Sequence, residues 1–136
     1  MGIVDKPATG EAAYETILYE VADDGVATIT LNRPDRLNAF SRTMGAEFKD
    51  VWARVKWDDK VRAVVLRAAG DRAFSTGADV KEGGWADKSV GPFDWEDPGP
   101  SLGPKQNLVW KPVICAVQGM CAGGAFYWLN ESDIII

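Results

Sequence analysis

The stretch that most constrains the fold of this chain spans residues 111–126 and reads KPVICAVQGMCAGGAF. Its first part, residues 113–117, is a short apolar run after a proline, which is typical of a buried strand. Gly119 then interrupts the run, and the glycine pair at residues 123–124 precedes a helical segment that begins at about Ala125. A strand, a glycine turn and a helix start in this order predict an α/β domain.

The paired glycines create a backbone site at the start of that helix. The first N–H groups of a helix have no intrahelical partner, and together with the helix dipole they favour an oxygen that carries negative charge. Glycine suits such a turn because no side chain stands between its backbone and a ligand. A packing turn in an α/β domain has the same sequence pattern, so this stretch alone leaves both interpretations open.

A second glycine turn is predicted after another buried strand. Residues 73–82 read AFSTGADVKE and follow an apolar strand at residues 63–66. They place Gly77 and Ala78 in a turn, with Asp79 in position to cap the helical segment that follows. Two strand–turn units that each offer a backbone N–H match the needs of an oxyanion hole, provided that both N–H groups converge on one oxygen.

The remaining elements are a hairpin and a strand–helix–strand unit. Residues 14–21 and 26–31 have strand composition and flank the turn sequence Asp-Asp-Gly. Ser41 is a good N-cap for a helix with one apolar stripe, formed by Met44, Phe48, Val51, Trp52 and Val55. The nearly all-apolar run at residues 61–66 predicts a strand of a parallel sheet that is covered on both faces. Shorter elements are expected later, as helices at residues 102–110 and 125–131 and a strand at residues 134–136.

Four segments, whose order along the chain also matches, resemble the crotonase superfamily, the enoyl-CoA hydratase/isomerase group. Two are the glycine segments at residues 74–82 (FSTGADVKE) and 113–125 (VICAVQGMCAGGA). The third, residues 29–40 (ITLNRPDRLNAF), resembles the family's early strand and CoA-contacting loop. The fourth, residues 133–136 (DIII), resembles the strand after the active-site helix. The resemblance covers residues 14–136.

This resemblance implies an α/β fold in which ββα units repeat as a spiral, of which the chain supplies the N-terminal half. We expect a flexible tail at residues 1–13 and the crotonase-like core at residues 14–136. Family members are much longer and end in helices that build a trimer, so the core is expected to be truncated before those helices. The full-length protein is expected to form a homotrimer or hexamer.

The implied activity is the processing of an acyl-CoA thioester, with two backbone N–H groups stabilising the enolate oxygen. By resemblance those donors are Ala78 and Gly124. No permanent cofactor is implied, because coenzyme A is part of the thioester substrate.

The proton-transfer group is where the chain departs from the family. Hydratases carry a glutamate three residues after the second donor, and this chain has Tyr127 there. Tyrosine has a pKa of about 10, so at neutral pH it is a better acid or hydrogen-bond donor than base, which argues against the two-glutamate mechanism. Glu131, one turn later, is expected to lie deeper than the pocket or outside it. The base, a carboxylate or histidine, is expected after Ile136.

Substrate contacts are also implied by the resemblance. The family's loop corresponding to residues 32–38 contacts the nucleotide end of CoA, which makes Arg36 and Leu37 candidates, although Arg36 is equally well explained as a solvated surface residue. The other expected substrate-binding residues follow the two glycine motifs: Gly77, Asp79, Val80, Lys81, Trp85 and Gly123. In the irregular segment at residues 82–104, Trp85, Phe93 and Trp95 either line the acyl pocket or only anchor the loop.

Composition narrows the possible partners. The net charge of -5 disfavours a nucleic-acid partner. The chain has no histidine, so it cannot build a Ser-His-Asp or Cys-His site, and Cys115 and Cys121 are expected to be reduced thiols rather than zinc ligands. No apolar run approaches the roughly 18 residues of a membrane span, and the start lacks a signal-peptide pattern. We therefore expect a cytoplasmic protein with no membrane partner.

Two alternatives to an enzyme stay open. A catalytically silent paralogue that binds acyl-CoA or stabilises an oligomer fits Tyr127 as a core residue. An unrelated α/β domain would bind no CoA thioester at all. Turnover of crotonyl-CoA or of an aromatic enoyl-CoA separates the enzyme from both.

Overall fold

The computed structural model of this protein describes residues 7, 10, 12–83, 85 and 96–136. The strands are β1 (Ile17–Val21), β2 (Val26–Leu31), β3 (Ala63–Ala68), β4 (Ala73–Ser75), β5 (Val113–Cys115), β6 (Met120–Cys121) and β7 (Ile134–Ile135). The helices are α1 (Arg42–Trp57), α2 (Gly99–Leu102) and α3 (Phe126–Asn130). Single 3-10 turns occur at Pro34–Arg36, Val80–Glu82 and Gly123–Ala125.

The predicted hairpin is confirmed. Strand β1 pairs antiparallel with β2, with Ile17 opposite Leu31. At the turn, the Gly25 amide donates to the Ala22 carbonyl at 2.9 Å, and the Val26 amide donates to Asp24 Oδ1 at 3.0 Å. The acidic turn residue thus satisfies a backbone donor, as turn aspartates commonly do.

Helix α1 begins where the sequence places it. The Ser41 hydroxyl oxygen accepts a hydrogen bond from the Met44 amide at 3.2 Å, which caps the first turn. The five predicted stripe residues are all fully buried: Met44, Phe48, Val51, Trp52 and Val55. Trp52 also donates its indole N–H to the Leu102 carbonyl at 2.8 Å, which ties α1 to the end of α2.

The main sheet has five strands in the order β1-β2-β3-β5-β7, and every pair after the hairpin is parallel. Strand β3 spans Ala63–Ala68, two residues later than the predicted run, with Val64 and Leu66 buried. A second, two-stranded parallel sheet pairs β4 with β6. The architecture is therefore mixed α/β, with one small sheet beside the larger one.

An aromatic cluster fills the space between α1, α3 and β4. Trp128 of α3 lies at its centre, with its ring centroid 5.1 Å from Phe48, 5.7 Å from Phe40 and 6.2 Å from Phe74. All four rings are buried. Burial of aromatic surface on this scale makes a large contribution to stability, and it fixes the start of α3 against α1.

The helix predicted at residues 102–110 is wrong. Helix α2 ends at Leu102, and turns follow in which Leu108 takes a positive φ of 58°. Gly103 and Pro104 end the helix, because glycine lowers helix propensity and proline disfavours a helical residue before it. The Asn107 side-chain amide group then donates from Nδ2 to the Gly103 carbonyl at 2.7 Å and holds the turn.

Several sequence predictions fall on residues that the structure leaves undescribed. Phe93 and Trp95 lie outside the described residues, as does most of the tail at residues 1–13. Within the described part of the chain, no helix combines the length and apolarity needed to cross a membrane.

Candidate active site

Pairing of β4 with β6 brings the two glycine turns together. Ser75 is opposite Cys121 in this parallel pair, and the Ala122 amide donates to the Ser75 carbonyl at 3.1 Å. The two segments that follow β4 and β6 therefore leave the small sheet side by side and in the same direction. One continues into the turn with Gly77, and the other continues into the turn with Gly124.

Gly77 is in direct contact with the second turn. It has a φ of +92°, a conformation that side chains other than glycine's rarely adopt. A Cβ atom at this position would lie 2.8 Å from the Gly124 nitrogen and 3.1 Å from the Ala122 carbonyl oxygen. The absence of a side chain at Gly77 is thus what allows the two backbones to meet.

The backbone groups of the residues on either side of Ala78 form hydrogen bonds, while the Ala78 amide itself forms none with the described residues. The Phe40 amide donates to the Gly77 carbonyl at 2.8 Å, and the Asp79 amide donates to the Phe40 carbonyl at 2.9 Å. This ladder engages the residues before and after Ala78. Among the described residues, the Ala78 N–H has no protein acceptor.

Gly124 is the second residue of its 3-10 turn, so its amide lies among the first N–H groups of that turn. The Ala125 amide donates to the Ala122 carbonyl at 3.2 Å, and the Phe126 amide donates to the Gly123 carbonyl. Within residues 12–83 and 96–136, no acceptor engages the Gly124 amide. A Cβ atom at Gly124 would lie 2.6 Å from the Phe40 ring, so the core excludes a side chain here.

Asp79 is held in place by two backbone amides and by a partly buried arginine. Its Oδ1 accepts from the amides of Lys81 at 3.0 Å and Glu82 at 3.3 Å, which confirms its predicted capping role. Its Oδ2 lies 3.1 Å from Arg33 Nη1. Burial alone would raise the pKa of Asp79, but these two amides and the Arg33 guanidinium outweigh it and hold the pKa below its usual value.

Arg33 was missed in the sequence analysis, which named Arg36 and Leu37 as the candidates in this loop. Its guanidinium also bonds Glu82 at 2.6 Å and donates to the Ala39 carbonyl at 2.7 Å. It therefore joins the loop at residues 32–38 to the Val80–Glu82 turn. The sequence gives little sign of this role for Arg33, because nothing local shows that Asp79 and Glu82, more than 40 residues later, share it as a partner.

A groove of about 210 Å³ lies between that loop and that turn. It collects five of the predicted substrate-binding residues, which are Arg36, Leu37, Asp79, Val80 and Lys81. Ala78 also lines this groove. The loop is held in place by the Asn38 amide group, which donates to the carbonyls of Ala69 at 2.9 Å and Ala73 at 3.0 Å.

A larger depression of about 820 Å³ lies at the hairpin end of the main sheet, lined by residues 21–25, 58–60 and 62. It is open to solvent and carries several aspartates. Neither unpaired amide belongs to its lining, so size alone does not identify the site.

Trp85 lies behind Phe40. Its ring centroid is 5.5 Å from that of Phe40 in an edge-on arrangement, and the Arg42 guanidinium carbon is 5.4 Å from its ring. The ring also packs closely against Gly45 of α1. Within the described part of the chain, Trp85 is linked to the glycine turns through Phe40, which favours the anchoring interpretation; a contact with the acyl chain stays a prediction.

Tyr127 lies beside Gly124 and faces an aspartate that the sequence analysis did not consider. A Cβ atom at Gly124 would be 3.6 Å from Tyr127 Cδ2. Burial raises the pKa of Tyr127, and the negative charge of the nearby Asp97 carboxylate adds to this shift. Asp97 Oδ1 also accepts from the Gly99 amide at 2.9 Å. The Asp-Pro-Gly sequence indicates such a turn, but nothing local indicates Tyr127 as its neighbour.

Glu131 lies outside this site. Its carboxylate accepts from the amides of Lys105 at 2.7 Å and Gln106 at 3.0 Å, so it stabilises the turn that follows α2. The two cysteines are free thiols, as predicted. Burial raises the pKa of Cys115 to about 12, so this thiol stays protonated at neutral pH.

Comparison with known proteins gives a consistent result. The sequence model of the family described as enoyl-CoA hydratase/isomerase matches residues 21–136. The (E)-benzylidenesuccinyl-CoA hydratase of Thauera aromatica is 36% identical over 111 residues, which cover 82% of this chain and 43% of that protein. The 1,2-epoxyphenylacetyl-CoA isomerase of Escherichia coli (strain K12) is 37% identical over 133 residues, which cover 90% of this chain and 47% of that protein.

Solved structures show the same likeness. The crystal structure of an enoyl-CoA hydratase/isomerase from Mycobacterium paratuberculosis superimposes with a TM-score of 0.73 at 39% identity, covering 90% of this chain and 45% of that one. The chain thus spans about half the length of the relatives it matches.

Proposed function

Because the chain belongs to the enoyl-CoA hydratase/isomerase family, we propose that it acts on an acyl-CoA thioester and stabilises an enolate between the amides of Ala78 and Gly124. The fold predicted for the chain, the N-terminal half of a crotonase-like α/β fold, is confirmed by the solved relatives. The observation that carries the proposal is local. Two amides without protein acceptors lie on turns that touch at Gly77.

The chemistry follows from the acidity of the carbon next to a thioester. Removing a proton from that carbon moves negative charge to the thioester oxygen. Two N–H donors at about 2.9 Å from that oxygen each contribute a few kcal/mol to the transition state. The Ala78 methyl group takes no part, so the position of its backbone matters more than its side chain.

The groove beside Ala78 is the proposed place for the CoA portion. Arg36 and Lys81 line it and supply positive charge for phosphate groups, while Leu37 and Val80 supply apolar contact. Val80 is 81% exposed, which leaves it free to contact a ligand. The backbones of Gly77 and Gly123 complete the approach to the thioester. Coenzyme A enters as part of the substrate, and no permanent cofactor is proposed.

Reaction type and assembly belong to the same proposal. The relatives named above are a hydratase and an isomerase, and another, from Pectobacterium carotovorum, is a carboxymethylproline synthase at 38% identity. We favour hydration, dehydration, isomerisation or a related step through an enolate, with Tyr127 as a donor to the substrate. A homotrimer or hexamer in the cytoplasm is proposed for the full-length protein.

One observation favours a catalytically silent acyl-CoA-binding protein as the second candidate. Burial and the Asp97 carboxylate raise the pKa of Tyr127, so its hydroxyl stays protonated at neutral pH and cannot replace the missing glutamate as a base. Both candidates bind an acyl-CoA thioester, but only the enzyme converts it to a product.

The test measures binding by calorimetry and turnover by absorbance for crotonyl-CoA and for an aromatic enoyl-CoA. Turnover of either compound supports the enzyme. Binding without turnover supports the silent protein. Absence of binding to any CoA thioester overturns both.

A further inference from the structure

Phe40 contacts both of the glycine turns that carry the unpaired amides. It follows the loop at residues 32–38 and directly precedes Ser41, the N-cap of α1, so the start of that helix fixes its place. Only 2% of the residue is exposed. Its backbone bonds one turn and its ring packs against the other, so this one residue links them.

The backbone of Phe40 fixes the turn that carries the Ala78 amide. The Phe40 amide donates to the Gly77 carbonyl at 2.8 Å, and the Phe40 carbonyl accepts from the Asp79 amide at 2.9 Å. Phe40 and Ala78 are thereby partners in a parallel bridge. In such a bridge the bonds go to the neighbours of Ala78, which holds the Ala78 N–H in one orientation without engaging it.

The ring of Phe40 packs against the other turn. A Cβ atom built on Gly124 would lie 2.6 Å from both Cε1 and Cζ of this ring, so the ring edge is in direct contact with the Gly124 backbone. Trp85 and Trp128 hold the ring, with centroids at 5.5 Å and 5.7 Å in edge-on arrangements. In a close-packed interior, a change in the ring is transmitted to the backbone beside it.

On the basis of the proposed function, we propose that Phe40 is a positioning residue that sets the Ala78 and Gly124 amides at the distance and angle needed to share one thioester oxygen. Because Phe40 is buried, it acts through the two amides and not by contact with the substrate. An oxyanion donor displaced by about 1 Å can cost about a hundredfold in rate. A change in the ring should therefore affect catalysis as well as stability.

Phe48 offers a matched comparison for a role in stability alone. Its ring is fully buried in the same aromatic cluster, with its centroid 5.1 Å from Trp128 and 5.8 Å from Trp52. The atoms nearest to a Cβ built on Gly124 belong to Phe40 and Tyr127 and not to Phe48. The two phenylalanines thus share burial and differ in their contact with the glycine turn.

The first test compares Phe40→Leu with Phe48→Leu. Leucine has no counterparts of Cε1 and Cζ, the two ring atoms that reach Gly124, and each change leaves a cavity in the core that should lower Tm. Assayed well below Tm, Phe40→Leu should lower kcat for an enoyl-CoA at least tenfold, while Phe48→Leu stays within about twofold of wild type. The Kd of an alkyl-CoA thioether, which lacks the carbonyl, should stay within about twofold in both variants.

The second test is a rescue with Gly124→Ala. Gly124 does not have a positive φ, so alanine suits its backbone, and the new methyl group collides only with the Phe40 ring edge. Phe40→Leu removes the atoms of that collision. The double variant should therefore have a higher kcat than Gly124→Ala by about threefold or more, whereas independent losses would make it at least tenfold lower.

The third test observes the thioester oxygen without turnover. Infrared difference spectra of butyryl-CoA with a ¹³C-labelled thioester carbonyl report the polarisation of that bond by hydrogen-bond donors. The band of the wild-type complex should lie below its frequency in water. It should move back toward that frequency in Phe40→Leu and stay at the wild-type value in Phe48→Leu.

An unchanged carbonyl band in Phe40→Leu, or equal losses of kcat in Phe40→Leu and Phe48→Leu, overturns the positioning role and leaves the proposed function standing. Multiplicative losses in the double variant overturn it too, since they indicate that the ring and the glycine act independently. If the wild-type protein binds no CoA thioester, or binds it with no shift of the carbonyl band, the proposed oxyanion hole fails and the role of Phe40 fails with it.

Discussion

A Cβ atom built on Gly77 would lie 2.8 Å from the backbone nitrogen of Gly124. The two residues come from different strand–turn units, so this contact sets the separation of the two turns that carry the unpaired amides. Any side chain at Gly77 must push the turns apart. The contact is therefore a direct way to perturb the site without removing a functional group.

Gly77→Ala is expected to lower kcat/KM by at least tenfold, because a shift of about 1 Å at a reacting centre can cost about a hundredfold in rate. It should also destabilise the fold by about 2–4 kcal/mol, from the strained φ and the close contact together. Steady-state kinetics and urea unfolding measure the two effects.

Gly83→Ala is the matched control for this change. Gly83 has a φ of +94°, close to that of Gly77, but a Cβ atom there meets nothing within 4 Å. It should therefore show only the backbone cost of about 1–2 kcal/mol, with unchanged kcat/KM. Equal losses in both variants would contradict a specific role for the Gly77–Gly124 contact.

Arg33→Met should destabilise the protein by about 3 kcal/mol, because it leaves the carboxylate of Asp79 buried without its positive partner. The Arg33 and Asp79 side chains are only 13% and 5% exposed, so water cannot replace the lost charge. Urea unfolding of the variant measures the effect. Arg33→Met with Asp79→Asn should recover part of the loss, and failure to recover any would argue against this pairing as the cause.

Arg36→Met is expected to behave in the opposite way. Arg36 is exposed in the groove beside Ala78, so its loss should leave Tm unchanged. A lost charge-assisted bond to phosphate should weaken the Kd for a CoA thioester by about tenfold or more. Calorimetry compares the CoA thioester with the pantetheine thioester of the same acyl group, which lacks the nucleotide. This comparison checks whether Arg36 contacts the nucleotide end. Equal weakening of both ligands would place Arg36 away from the nucleotide.

Asp133→Asn should make the free energy of unfolding less dependent on pH in the acidic range. The hydrogen bond from the Val113 amide, at 2.8 Å, lowers the pKa of Asp133 below its ordinary 3.8, and the Lys105 ammonium lowers it further. Partial burial of the carboxylate opposes this shift without cancelling it. A lowered folded-state pKa means that the carboxylate stabilises the protein fully above about pH 3.8 and loses this effect as pH falls through the folded value.

The free energy of unfolding, measured in urea at pH 7, 5, 3 and 2, tests this prediction. The wild-type protein should exceed Asp133→Asn by about 0.5–1 kcal/mol at pH 5–7, and the difference should shrink below pH 4. A difference that stays constant down to pH 2 would show that the carboxylate's charge is irrelevant to this contact.

Local sequence patterns were sufficient for the elements that frame the site. The hairpin turn, the Ser41 cap, the stripe of α1 and the Asp79 cap all depend on residues within a few positions of one another. Their physical cause is short-range, through backbone hydrogen bonds and the periodicity of burial, so the sequence carries it directly. The helix predicted at residues 102–110 failed because Gly103 and Pro104 ended a helix that begins earlier, at Gly99.

The sequence by itself determined the fold family, the two glycine turns and the tyrosine at the position of the usual glutamate. Only the tertiary structure decided which side chains meet there. Arg33 pairs with Asp79, and the charge of Asp97 raises the pKa of Tyr127, across long separations in the chain. Such contacts depend on how α1, α2 and α3 pack around one aromatic cluster, and no local pattern specifies that packing. The packing of the core therefore decides which charged side chains surround this site, while the glycines of the sequence determine its backbone conformation.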